Sequence, residues 1–201
     1  MKTKWLWLAA GAVALVALVV VVVVVIYNLP VRGIPPGWSA MNDNGQWNWA
    51  NGRINAHTVN GDSILASSNE YGDVTFSATV STTNREASLA IRLQDDNNGY
   101  IIVFAPAHTP GNDTGFVRLV KRTSGNGETK LGEYQKRKLS TIGHSAKIKV
   151  VARGPAIQVY LNSEKILQAR DTTFASGYIG FRIYGWADYP CDATFADVRF
   201  H

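Results

Sequence analysis

The sequence predicts an all-β protein, a two-sheet antiparallel jelly-roll sandwich preceded by a single N-terminal transmembrane helix. Three observations carry this. Residues 5–27, WLWLAAGAVALVALVVVVVVVIY, hold no charge and no proline, and roughly 20 apolar residues cross a bilayer core. From Trp38 onward, apolar and polar residues alternate over short segments, the period of a half-buried strand; no segment sustains the i, i+3, i+4 spacing of a helix. Turn-forming clusters separate these segments: Asp95-Asp96-Asn97-Asn98-Gly99, Gly125-Asn126-Gly127, Arg153-Gly154-Pro155 and Asn162-Ser163-Glu164.

Taken in order, residues 1–4 form a cytoplasmic N-terminus and residues 5–27 the membrane span. In lipid a helix satisfies its own backbone, so even the run Val19 to Val25 reads as helix there. A cleaved signal peptide has an apolar core of about 7–15 residues and a small-x-small cleavage site. This run is longer and Ile26 to Pro30 offers no such site, so the span is an uncleaved anchor. Lys2 and Lys4 precede it and only Arg32 follows closely, which keeps the N-terminus in the cytoplasm and places the remainder in the periplasm or outside the cell. Trp5, Trp7 and Tyr27 lie at its ends, where amphipathic rings favour the membrane interface. Residues 28–36 form a short linker stiffened by Pro35-Pro36. Residues 37–201 are long enough for one domain with its own core.

Within that domain, Val74 to Val80 puts Val74, Phe76, Ala78 and Val80 on one face. Leu89 to Leu93, Phe116 to Val120 and Ala146 to Ala152 alternate in the same way, and Tyr100 to Phe104 is continuously apolar, as a central strand would be. Ile157 to Leu161, Lys165 to Ala169, Tyr178 to Tyr184 and Ala193 to Phe200 complete the series. The spacing of turns implies about ten to twelve strands.

Composition bounds the partners. The net charge is +5; without Lys2 and Lys4, 18 basic residues face 15 acidic ones, too mild an excess to imply nucleic acid. The lone Cys191 precludes an intramolecular disulfide and reads as a small buried residue near a strand start. Lys136-Arg137-Lys138, with Lys130, Lys147 and Lys149, reads as a solvated strand face. Asn112-Asp113-Thr114 is a glycosylation sequon, relevant in a eukaryotic secretory route.

A resemblance runs through residues 37–201. Val159-Tyr160-Leu161-Asn162, Ile166-Leu167, Gly177-Tyr178-Ile179-Gly180-Phe181 and Phe195-Ala196-Asp197-Val198-Arg199-Phe200 resemble the closing strands of the concanavalin A-like lectin/glucanase superfamily. Gly72 to Phe76, Ser88 to Arg92 and Gly99-Tyr100 resemble the middle strands of its laminin-G-like and 3-keto-disaccharide-hydrolase-like branches. Trp38, Trp47 and Asn51-Gly52 resemble their opening hairpin. The resemblance implies a jelly roll with one concave sheet, in a superfamily of carbohydrate-binding modules, adhesion modules and glycoside-cleaving enzymes. Ser163 stands where relatives often carry glycine, which implies a slightly different loop.

The motifs favour binding over catalysis. Glycoside hydrolysis generally uses two carboxylates flanking the scissile bond. The Glu-x-Asp-x-x-Glu strand of the endoglucanase branch is missing, and Glu70 and Asp73 are out of phase for one face. Convergence of carboxylates distant in sequence stays open. His57, His108, His144 and His201 show no metal-ligand spacing. There is no Gly-x-Ser-x-Gly elbow and no phosphate loop. Structural calcium is the one cofactor the pattern admits. Asp95 and Asp96 form the densest oxygen cluster, the ligand type of a hard cation. Asp197 matches a position near structural calcium in some relatives.

Aromatic residues give the binding hint. Trp186 and Tyr189, with Tyr184 beside them, lie in a loop between the last strands, and Trp49 stands in the opening segment. Rings of this kind either fill the core or stack on the apolar faces of sugars. The sequence therefore supports a membrane-anchored, non-catalytic binding or scaffold protein. Its expected partners are membrane lipid and either glycan or an integral membrane protein complex. Two alternatives stand beside it: an accessory structural subunit of such a complex, and a glycoside-cleaving enzyme of the 3-keto-disaccharide-hydrolase type.

Overall fold

The computed structural model describes residues 33–83, 85–106, 114–135 and 145–201. The expected span with Trp5, Trp7 and Tyr27 lies outside them, as do Lys136-Arg137-Lys138 and most of the sequon. Among the described residues no helix is long and apolar enough to cross a membrane.

Those residues contain fourteen strands: β1 (Trp38–Ala40), β2 (Gln46–Ala50), β3 (Arg53–Thr58), β4 (Gly61–Tyr71), β5 (Val74–Thr82), β6 (Glu86–Asp95), β7 (Asn98–Ala105), β8 (Phe116–Thr123), β9 (Gly127–Tyr134), β10 (Ser145–Arg153), β11 (Ala156–Leu161), β12 (Glu164–Arg170), β13 (Gly177–Gly185) and β14 (Cys191–Phe200). They form two seven-stranded antiparallel sheets, ordered β1-β4-β13-β6-β7-β8-β9 and β12-β11-β10-β5-β14-β3-β2. This is the expected jelly-roll sandwich. Every strand read from alternation is present. The additional ones are β1 to β4 and β9.

The alternating residues meet between the sheets. Phe76, Phe181 and Phe195 pack ring against ring at 4.5–5.4 Å between centroids, Phe76 edge-to-face on Phe181 and Phe195 tilted against it. Trp47 stacks on Phe195 and donates its indole N–H to Ser63 Oγ at 2.8 Å, tying β2 of one sheet to β4 of the other. Cys191 is fully buried at the start of β14, and burial pushes its thiol up to about 11. Asn51-Gly52 closes the β2–β3 hairpin with both φ positive (54° and 72°), the requirement of the favoured two-residue turn. Asn162-Ser163 closes β11–β12 in the same way (46° and 77°). Ser163 itself takes the left-handed conformation that glycine usually supplies.

One end of the sandwich is clasped by Arg92, itself in the left-handed region (φ 51°) and 1 % exposed. Its guanidinium donates to the carbonyls of Gly72 (3.0 Å), Phe174 (3.1 Å) and Gly154 (2.8 Å), joining three connections. Nearby, Tyr100 donates to Asp171 Oδ1 at 2.7 Å and Lys121 donates to Oδ2 at 2.8 Å. Burial works against the Asp171 charge, yet the hydrogen bonds from Lys121, Thr173 and Tyr100 hold its carboxyl below the usual range. Burial first, then the bond to Asp171, pushes the Tyr100 phenol up to about 12.

The first sheet is apolar on both faces. Ile64, Ala66, Ala90, Ile101, Val103 and Val120 form a second buried cluster on the face turned away from the core. That face is concave, and side-chain reach proves it. Asp62 in β4 and Arg122 in β8 are separated by β13, β6 and β7. Four ladder spacings come to roughly 19 Å on a flat sheet. Register adds to this, since Asp62 stands at the Tyr184–Glu86 end and Arg122 opposite Gly99 at the other. Their side chains nevertheless meet at 2.5 Å. The sheet must curl to bring these opposite corners together.

Candidate functional site on the concave face

Strand parity places the polar groups of the site. Asp62 precedes Ile64 by two positions, and Arg122 follows Val120 by two, so both share the face of the apolar floor. Arg182 stands in register with Ile64 and Ser88 on that same face. Arg182, 4 % exposed at its side chain, is the hub: it reaches Asp62 Oδ1 (2.5 Å), Glu86 Oε2 (3.3 Å) and Glu128 Oε1 (3.7 Å). Arg122 bonds Asp62 Oδ2 and also Glu128 Oε1 at 2.9 Å. Burial alone would lower the Arg122 pKa, but Asp62 and Glu128 outweigh it and hold the guanidinium above its ordinary value. These groups line a cleft of about 640 Å³ together with Asn97, Ser124 and Tyr184.

Carboxylates distant in sequence therefore do converge. Asp62, Glu86 and Glu128 come from β4, β6 and β9, and each is engaged by a guanidinium.

An aromatic corner adjoins the cleft. Tyr184 lines it, and Trp186 meets Tyr184 edge-to-face at 5.3 Å. Trp186 and Tyr189 pair by two backbone bonds (3.2 and 2.7 Å), which fold the loop into a tight turn. Trp186 is 39 % and Tyr189 42 % exposed. The Arg85 guanidinium carbon sits 3.8 Å from the Trp186 ring centre and 4.4 Å from that of Tyr189.

Three of the four aromatic residues singled out from sequence thus share one corner. Trp49 does not join them: it is half-buried against the inter-sheet core from β2, the edge strand of the other sheet. The expected calcium ligands are scattered. Asp95 accepts from Asn97 N (2.7 Å) and Asn98 Nδ2 (2.9 and 2.8 Å), and Asp96 from Asn97 Nδ2 (2.7 Å), so both carboxylates close the β6–β7 turn. Asp197 lies in the other sheet and accepts from Thr79 Oγ1 at 2.9 Å. Among the described residues no group of three or more His, Cys, Asp or Glu side chains is placed to hold a metal ion. His57, read as an ordinary surface residue, is half-exposed and bonds Asp192 at 2.7 Å, in a second cleft of about 420 Å³ on the outer face of the second sheet.

Sequence reasoning missed Arg85, and it missed Arg182 and Arg122 with the carboxylates they hold. One signal was present: Arg182 interrupts the otherwise apolar strand Tyr178 to Tyr184.

Comparison with known proteins decides the family. Residues 35–200 match the model of the 3-keto-alpha-glucoside-1,2-lyase-like domain. The chain belongs to this family. This lyase-like domain shares its fold with solved structures at low identity. A carbohydrate-binding module, CBM66 from Bacillus subtilis, is 21 % identical over 82 % of this chain and 95 % of its own, with a TM-score of 0.67. The Bacillus licheniformis β-glucanase is 14 % identical over 85 % and 95 %, TM-score 0.60. A legume lectin-like domain from Entamoeba histolytica is 8 % identical over 82 % and 89 %, TM-score 0.61. These likenesses establish the concanavalin A-like fold. No curated protein matches the chain.

Proposed function

We propose that this protein is a non-catalytic saccharide-binding protein, carried on a single-pass membrane anchor with its lyase-like domain in the periplasm or outside the cell. The observation that carries the reading is the aromatic corner beside the concave cleft, where exposed Trp186 and Tyr189 adjoin half-buried Tyr184 of the cleft lining. Aromatic faces stack on the C–H faces of sugar rings, while convergent polar groups fix orientation. Asn97, Ser124, Arg122 and Glu128 supply such groups in one cleft. Solved neighbours described as a carbohydrate-binding module and a lectin-like domain support the reading. The anchor rests on the apolar run 5–27 and its cationic flank.

The family match favours a second reading, cleavage of a 3-keto-glucoside. Acid–base chemistry of that kind needs a group free to take up or release a proton. In this cleft each carboxylate is held by Arg122 or Arg182, which favours binding without turnover. The test is a glycan array followed by calorimetry, using the full chain in detergent micelles. Retention of a saccharide without turnover is expected, with Trp186→Ala weakening affinity about tenfold, the loss of one aromatic stack. Turnover of a 3-keto-glucoside that Glu86→Gln abolishes would overturn the non-catalytic reading. Alkaline carbonate extraction of membranes should leave the chain in the pellet; its release would overturn the anchor.

A further inference from the structure

Arg85 is the anomaly of the aromatic corner. It is 4 % exposed, and among the described residues its Nε and Nη2 are buried without a hydrogen-bond partner. Its hydrogen-bonded neighbour Thr82 contacts only its backbone carbonyl, at 3.1 Å. Arg92 and Arg182, equally buried, each spend their donors on carbonyls or carboxylates. A buried guanidinium with idle donors is costly, and such a group calls for a functional explanation. The two aromatic faces against it repay part of the cost by cation–π attraction but satisfy none of the N–H groups.

Nε and Nη2 form one edge of the guanidinium, the fork that accepts a planar carboxylate through two parallel bonds. The neighbouring residue Glu86 lines the cleft, as does Tyr184. The unpartnered guanidinium carries one positive charge, which a single carboxylate on that edge would match.

We propose that Arg85, beneath Trp186 and Tyr189, is the receptor for the carboxylate of an acidic sugar, so that the site selects uronic-acid saccharides over neutral ones. This rests on the saccharide-binding reading above. The sugar ring stacks on the exposed aromatic corner, and its carboxylate reaches the fork when the Trp186 side chain swings aside. Entry through a short turn fastened mainly by its own two backbone bonds requires no rearrangement of the sheets.

The experiment titrates the full chain in micelles with a glucuronic acid oligosaccharide, its methyl ester and a monosulfated neutral counterpart, read by tryptophan fluorescence. The acid should bind at least about tenfold tighter than the ester, the scale of charge-assisted bonds. A preference for the sulfated sugar over the acid would overturn the carboxylate assignment. Arg85→Met should abolish the preference while leaving the melting temperature equal or higher, because an apolar side chain replaces an unpaired buried charge. Arg85→Lys keeps the charge, loses the fork, and should lose most of the preference. A fall in melting temperature for Arg85→Met with the acid preference intact would make Arg85 a packing residue. Equal binding of acid and ester by the parent overturns this inference alone, whereas binding of none of the three overturns the saccharide reading as well.

Discussion

Asp62→Asn tests whether the first sheet is held in its curled form by charge. The substitution keeps volume and removes one negative charge. Arg182 then loses its nearest counter-ion and retains Glu86 at 3.3 Å and Glu128 at 3.7 Å. Arg122 keeps Glu128 at 2.9 Å. A hydrogen bond to a charged group contributes about 1.5–3 kcal/mol, and removing one partner of a buried pair costs about 3–5 kcal/mol. Asp62 is 21 % exposed and Glu128 remains for both arginines, so the loss belongs near the lower bound, about 3 kcal/mol. Urea unfolding of the full chain in mild detergent, followed by tryptophan fluorescence, should show a lower midpoint with an unchanged slope. A double-mutant cycle with Arg122→Gln sharpens the test. Contact across five strands predicts a coupling of at least about 1 kcal/mol, whereas sites as far apart as a flat sheet would hold them add within about 0.5 kcal/mol. Additivity, or a loss for Asp62→Asn below about 1 kcal/mol, would refute the bridge across the concave face.

Two further perturbations probe the opposite end of the sandwich. Arg92→Met strips three carbonyls of their buried donor; with about 1–3 kcal/mol for each group left unsatisfied and water reaching some of them, the loss should be about 3 kcal/mol, visible as a fall of about 5–10 °C in melting temperature. The Asp171–Tyr100–Lys121 cluster gives the pH dependence. Asp171 titrates lower in the folded state than in the unfolded one, so its contribution is present above the ordinary carboxylate pKa and is lost as pH falls through the folded value. Tyr100 titrates higher when folded, so its contribution holds below pH 10 and drains away between pH 10 and about 12. Thermal melts from pH 2 to 12 should fall off at both ends, and Asp171→Asn should flatten the acid limb.

The strands legible in the sequence either alternate or, like Tyr100 to Phe104, are continuously apolar. Ala146 to Ala152 and Val74 to Val80 alternate because the core lies on one side and water on the other. β4 escaped because its apolar run is short and polar residues flank it. Ile64, Leu65 and Ala66 are buried in succession, since both faces of that sheet are covered, and the Ser-Ser-Asn stretch that follows hides the strand's continuation. β9, GETKLGEY, has no fully buried residue and sits at a sheet edge, so its pattern carries no period to read. Turn chemistry was the more dependable signal, because Asn51-Gly52 and Asn162 satisfy a backbone demand that does not depend on what packs above them.

The site divides along the same line. Tyr184, Trp186 and Tyr189 are close in sequence, so their shared corner was legible before any fold. The ionic partners come from β4, β6, β8, β9 and β13, and Asp62 and Arg122 meet only because a twisted sheet raises diagonal corners toward one another. No spacing rule encodes that approach. Once the curl exists, it also explains the choice of arginine. The two carboxylate oxygens of Asp62 take Arg182 and Arg122 from opposite sides of the face, and the planar fork of Arg182 reaches Asp62 and Glu86 together. A lysine at 182 would offer one compact charge in place of a fork. Against that standard Arg85 stands out. It has the same burial and the same donors, yet among the described residues its Nε and Nη2 find no partner. The missing partner is therefore best sought in what the cleft receives.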